Sequence, residues 1–206
     1  DLTKVKTANS DSDVTKIIQI IEQLNLPNGL VIDCGPDDVY FAIECAEKFN
    51  FEVTLFEDDT NKIKHFNSHL ASSSEESSVD ILPLMPCLKL VKPNSNNQES
   101  TSILLDDLKL GNNRIIFVRI NRELELSSFI SGAKHCLQLH RPLILLHTEH
   151  LLQQSTMQSL SLAHYHLFLF SPSLIFAIHE KDTDNLGNSL NSISKAHIVS
   201  RSDNPD

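Results

Sequence analysis

Three observations predict a doubly wound α/β fold for this chain, a mostly parallel sheet that ends in a C-terminal antiparallel hairpin. Short apolar-rich runs recur at Leu30-Val31-Ile32-Asp33, Phe51 to Glu57, Arg114 to Ile120 and Pro142 to His147. Runs of this kind are strands buried on both faces, as in parallel sheets. Segments of helical period lie between several of them and supply the crossovers that parallel strands need. The last two apolar runs, His166 to Phe170 and Leu174 to Ile178, are joined only by Ser171-Pro172-Ser173, a hairpin link.

The elements follow in order. Val14, Ile17, Ile18, Ile21 and Leu24 form one face of an amphipathic helix capped by Ser12 or Asp13, and Asn25 to Gly29 stops it. After the first strand comes Pro36-Asp37-Asp38 and then a second helix that runs to about Phe49, with Phe41, Cys45 and Phe49 on one face. The second strand ends in Glu57, and a third helix near 60–70 buries Ile63, Phe66 and Leu70. Ser72 to Ser78 is read as a flexible insertion, Val79 to Leu84 and Leu88 to Val91 as strands, and Pro93 to Ser100 as a disordered loop. Ile103 to Leu108 is a short helix or turn, and a helix spans about Leu126 to Leu137. Another helix covers Leu151 to about Ala163, before the hairpin. Residues 1–12 are expected to be a flexible N-terminus, 13–180 the domain, and 181–206 a flexible tail.

A chain of 206 residues is one domain with a core of its own and needs no disulfide or metal staple. Its 17 Lys+Arg against 27 Asp+Glu give a net charge of −10, which disfavours nucleic-acid backbones and anionic membrane surfaces as partners. The longest apolar-rich run, Leu167 to Ile178, is too short to span a membrane. The N-terminal stretch carries no signal-peptide hydrophobic region. Cys34, Cys45, Cys87 and Cys136 are widely spaced and read as reduced, mostly buried thiols. A cytoplasmic or organellar location is the corresponding expectation.

In open α/β sheets, ligands sit beyond the carboxyl ends of the strands at the switch point. Those ends are Asp33-Cys34-Gly35 and, 24 residues after Asp33, Glu57. An acid at the second position hydrogen-bonds a ribose diol in nucleotide-type sites. The bland alternative is that both acids are caps or solvated strand ends. No GxGxxG or GxxxxGK[ST] loop is present, and Asp37 and Asp38 would repel a pyrophosphate. NAD and ATP are disfavoured for that reason. A cofactor that joins adenosine to a positive centre suits the site better.

The run Leu30 to Phe41 resembles the first motif, V-x-D-x-G-A-N-x-G-x-x, of FkbM-type methyltransferases. Val53 to Thr60 resembles V-x-A-F-E-P-x-P, and Ile103 to Leu108 resembles the T-L-D-x-L segment. Arg119 to Glu125 falls where the family has K-I-D-x-E-G-x-E, Ser131-Gly132-Ala133 where it has G-A, and Pro142 to His147 matches a further strand. The resemblance is collinear over about residues 28–150. It implies the class I methyltransferase fold and S-adenosylmethionine as cofactor. Asp33, Cys34 and Gly35 would line the cofactor loop, Glu57 would hold the ribose, and Asp58 would join them in binding the cofactor. The acceptor would be a hydroxyl group on a small molecule or glycan. This chain departs from the pattern at Val39, in place of the second glycine, at Asn121, in place of an acid, and at Leu124, in place of a glycine. A non-catalytic domain that keeps the fold and binds a protein partner is therefore the alternative.

His135, His140, His147, His150, His164 and His166 crowd the last third. A metal reading would need three of them to converge, and no HExxH supports it. His147 or Glu149, at a strand's carboxyl end, is the candidate general base. No GxSxG elbow points to a serine nucleophile.

Overall fold

The computed structural model describes residues 3–57, 59–73, 85–86, 105–107, 113–120, 126–147 and 154–194. Among the described residues, seven strands form one sheet: β1 (Leu30–Cys34), β2 (Glu52–Glu57), β3 (Met85–Pro86), β4 (Ile115–Ile120), β5 (Leu143–His147), β6 (Tyr165–Leu169) and β7 (Leu174–His179). Their spatial order is β3-β2-β1-β4-β5-β7-β6. The first five run parallel, β7 is antiparallel to β5, and β6 pairs antiparallel with β7 at the edge. The order reverses at β1, whose neighbours are β2 and β4, so the switch point lies between β1 and β4.

The apolar runs read from the sequence are these strands. β1 is buried throughout, as are β5 up to its last residue and all of β7. A strand buried on both faces needs cover on both, and two apolar layers provide it. One layer joins Val31, Val53, Leu55, Phe117 and Leu145 of the sheet to Val14, Ile17 and Ile21 of α1 (Thr3–Leu24) and to Phe41 and Cys45 of α2 (Tyr40–Phe49). It also takes in Phe66 and Leu70 of α3 (Thr60–Ser73). The other joins Ile32, Val118, Ile144 and Ala177 to Phe129 of α4 (Leu126–Gly132), Leu137 of α5 (Lys134–His140) and Leu160 of α6 (Gln154–Leu162).

Several elements differ from the sequence reading. α1 starts at Thr3, so most of the stretch expected to be loose is helical. α2 does start just after Pro36-Asp37-Asp38, at Tyr40, whose N–H donates to Asp38 Oδ1 at 2.9 Å. The single helix expected over 126–137 is two, broken at Gly132-Ala133. The second of these takes its cap from elsewhere in the chain: Asp106, in the 3-10 turn Leu105–Asp107, accepts the backbone N–H groups of His135 and Cys136 at 2.9 and 2.8 Å. The segment expected as a mobile tail continues in helical turns over 180–194, and its Leu190 and Ile193 are buried in the first apolar layer. Polar spacing around those two aliphatic residues hid the helix, because two apolar positions make a weak periodic signal. The strands expected at 79–84 and 88–91, the loop at 93–100 and Cys87 lie outside the described residues. Among the described residues no helix is long and apolar enough to cross a membrane.

Candidate functional site

The carboxyl ends of β1, β2, β4 and β5 lie on one edge of the sheet. Gly35 follows β1 with φ of 65°, a left-handed conformation that a β-carbon disfavours. Its N–H donates to the Phe56 carbonyl at 2.8 Å, which carries the β1–β2 pairing one step past the strand and sets the loop beside Glu57. The expected pair of strand-end residues is thus brought together.

Glu57 is buried yet belongs to this edge. Its Oε1 accepts the Asp59 N–H at 3.0 Å, and its Oε2 lies 3.3 Å from Lys62 Nζ on α3. Asp59 Oδ1 in turn accepts the Asn61 N–H at 2.8 Å and caps α3. An ionised carboxylate has about four acceptor positions, so it accepts further donors beside these two. The capping and ribose-holding readings of Glu57 are compatible for that reason. Asp58 lies outside the described residues.

Asp33 stands differently. It faces Arg119 across the β1–β4 pairing, at the switch point itself. Arg119 Nε and Nη2 donate to Asp33 Oδ1 and Oδ2, both at 2.7 Å. The guanidinium carbon lies 4.2 Å from the centroid of the Phe41 ring, so the cation is sandwiched between a carboxylate and an aromatic face. Asp33 is fully buried. Burial raises its pKa from the ordinary value, and the adjacent guanidinium pulls the other way. Each carboxylate oxygen thus bonds Arg119, and Asp33 is shielded from solvent. Sequence reasoning set Arg119 opposite a family lysine but missed this role. The signal was available, since a cation in an otherwise apolar strand requires a buried counter-charge.

Cys34 points into the opposite apolar layer and is fully buried. Burial raises its thiol pKa well above the ordinary value, with the Asp33 charge adding to the effect. Only its backbone borders the loop. Val39, which replaces a motif glycine, has φ of −94°, and its side chain packs in the α1–α2 layer. The conformation demands no glycine there. Of the motif acids, Asp106 serves as the cap of α5 described above.

Among the described residues, the histidines of the last third are not placed together as a metal site. His147 ends β5, half-buried on the site edge, while Glu149 and His150 lie outside the described residues. His164 precedes β6 in a left-handed turn with φ of 63° and lies 3.3 Å from Glu180, so it does not share a strand face with His166. Among the described residues no three His, Cys, Asp or Glu groups are placed to hold a metal. Asn121 and Leu124 lie outside the described residues.

No family model matches the chain, and no curated protein matches it. Solved structures do. The methyltransferase FkbM from Methylobacillus flagellatus KT superposes with a TM-score of 0.52 at 17% identity, over 73% of this chain and 43% of that one. The chain therefore spans less than half of that protein's length. A putative caffeoyl-CoA O-methyltransferase from Staphylococcus aureus superposes with a TM-score of 0.55 at 14% identity, over 81% of this chain and 82% of that one. Together with the strand order and the antiparallel β7, these likenesses establish an α/β fold of the methyltransferase-like kind.

Proposed function

We propose that this chain is an S-adenosylmethionine-binding domain of the FkbM type that transfers a methyl group to an oxygen nucleophile. The observation that carries the reading is the pairing of a left-handed Gly35 with a buried Glu57 on adjacent strand ends, at the edge where this fold binds ligands. Gly35 lets a ligand approach the backbone closely, and Glu57 offers acceptor oxygens for a ribose diol. The residues fit the cofactor in part. Gly35, Glu57 and the Cys34 backbone would border it, with Asp58 adjoining. Asp33 would act at one remove, holding Arg119 and the end of β1 in place. The cofactor supplies a sulfonium methyl; the protein orients the acceptor in line with it and removes the acceptor's proton. His147, at the end of β5, is the described residue suited to that last task.

A second reading is favoured by the Asp33–Arg119 pair. A motif acid consumed by an internal ion pair is what a domain that keeps the fold but has lost the chemistry would retain, because the pair also ties β1 to β4. Its partner would be another protein. Titration calorimetry with S-adenosylmethionine and S-adenosylhomocysteine separates the two. Micromolar binding that Glu57→Ala abolishes is the expected result. A folded protein that binds neither ligand at millimolar concentration belongs to the non-catalytic reading.

A further inference from the structure

α3 carries two histidines, His65 and His69, one helical turn apart on its solvent side. Their ring centroids are 4.6 Å apart with an interplanar angle of 49°. Both are exposed, while Phe66 and Leu70, the residues after each, anchor the helix in the core. We propose that His65 and His69 form a two-imidazole chelate for a borderline transition-metal ion, Cu²⁺ or Zn²⁺, on the outer face of α3.

The chemistry follows from spacing. Residues at i and i+4 stack on one helix face, the arrangement by which paired helical histidines bind zinc. Zinc–nitrogen bonds of about 2.0–2.1 Å in a tetrahedral site place two ligand nitrogens roughly 3.3 Å apart. Rings already held 4.6 Å apart reach that separation through side-chain torsions alone. Each imidazole has two nitrogens, so one ligates while the other keeps a hydrogen bond. Imidazole suits copper and zinc, and copper binds more tightly in the divalent series. No third protein ligand is placed nearby among the described residues, so water or an outside ligand completes the coordination. The site faces away from the apolar layer, and its occupancy does not depend on the cofactor reading above.

The test is a titration of the whole chain with CuSO₄ or ZnCl₂ by calorimetry. Amide NMR spectra at substoichiometric Cu²⁺ then locate the ion through paramagnetic broadening. The expected result is one site with broadening centred on α3, and an affinity at least about tenfold lower in His65→Asn or His69→Asn, since losing a ligand should cost no less than losing an outer-shell partner. The double variant Asn67→His with His69→Asn keeps the histidine count but moves one ring off the shared face, and it should behave like His69→Asn. All three positions are exposed, so the fold should survive each change, which circular dichroism checks. Broadening centred elsewhere, or unchanged affinity in the single variants or in the double variant, overturns the proposal.

Discussion

Arg119 and Asp33 show how one residue's surroundings decide its role. A pair in which one partner is fully buried and the other largely so contributes little net stability, because desolvating both charges offsets their attraction. Removing one partner is another matter, since it strands a buried charge. Arg119→Met should therefore lower unfolding stability by about 3–5 kcal/mol. Asp33→Leu combined with Arg119→Met should recover most of that loss, as read from urea midpoints at constant slope. A site in which Asp33 met solvent would show only a small effect in the single variant. The sequence showed an acid at the end of β1 and an arginine in β4, but their contact spans 86 residues of chain and needs the parallel register to exist. Glu57 is the contrasting case. Its position at a strand end could be read from the apolar run before it, whereas its Lys62 and Asp59 partners follow only from how α3 begins.

At the scale of elements, scarce glycine shapes how helices end. Asn25, Asn50, Arg141 and His164 follow α1, α2, α5 and α6 in left-handed conformations that glycine commonly fills. α5 is the element most dependent on distant help. Its seven residues have no side-chain cap of their own, and Asp106 supplies one from the 3-10 turn. Asp106→Ala should cost about 1 kcal/mol in a urea titration, with increased amide exchange at His135 and Cys136. The junction after β7 should be acid-sensitive. His179 is buried, and its Nδ1 accepts the Lys181 N–H at 3.2 Å, a bond that requires that nitrogen to be unprotonated. Burial lowers its pKa, Arg141 and His164 lower it further, and Asp182 and Glu180 oppose them. The Tyr165 ring packs edge-on against it. The folded state thus keeps His179 neutral where the unfolded chain takes up a proton. Its contribution is complete above about pH 6.5 and is lost as pH falls from there to the lower folded value. His140 shifts in the same direction, chiefly through burial. His179→Gln keeps an acceptor without the titration, so its melting temperature should fall less than the parent's between pH 7 and 5.

At the scale of the molecule, the sheet is covered on both faces, and the C-terminal helical turns belong to that cover. Leu190 is fully buried, and Ile193 nearly so, in the layer that also holds α1 and α2. Ending the chain at residue 180 should therefore expose core. The expected loss is roughly 1.5–3 kcal/mol for each of these two side chains, seen as a lower urea midpoint. A terminus that only trailed from the domain would leave the midpoint unchanged.

The strands and most helices were legible in the sequence because their cause is local. An apolar run favours a strand covered by the core, and an apolar stripe of helical period favours a helix covered on one face, although β6 at the sheet's edge is only partly buried. β1, β2, β4, β5 and the hairpin are fixed in that way, and so is the edge on which Gly35 and Glu57 lie. The tertiary structure alone decided what depends on register and packing between distant segments. It turned Asp33 inward to Arg119, sent the Cys34 side chain to the far face, placed Val39 in the core and drew 180–194 onto the sheet. Sequence patterning specifies which residues leave water, whereas the partner a buried charge finds is set by which strand becomes its neighbour.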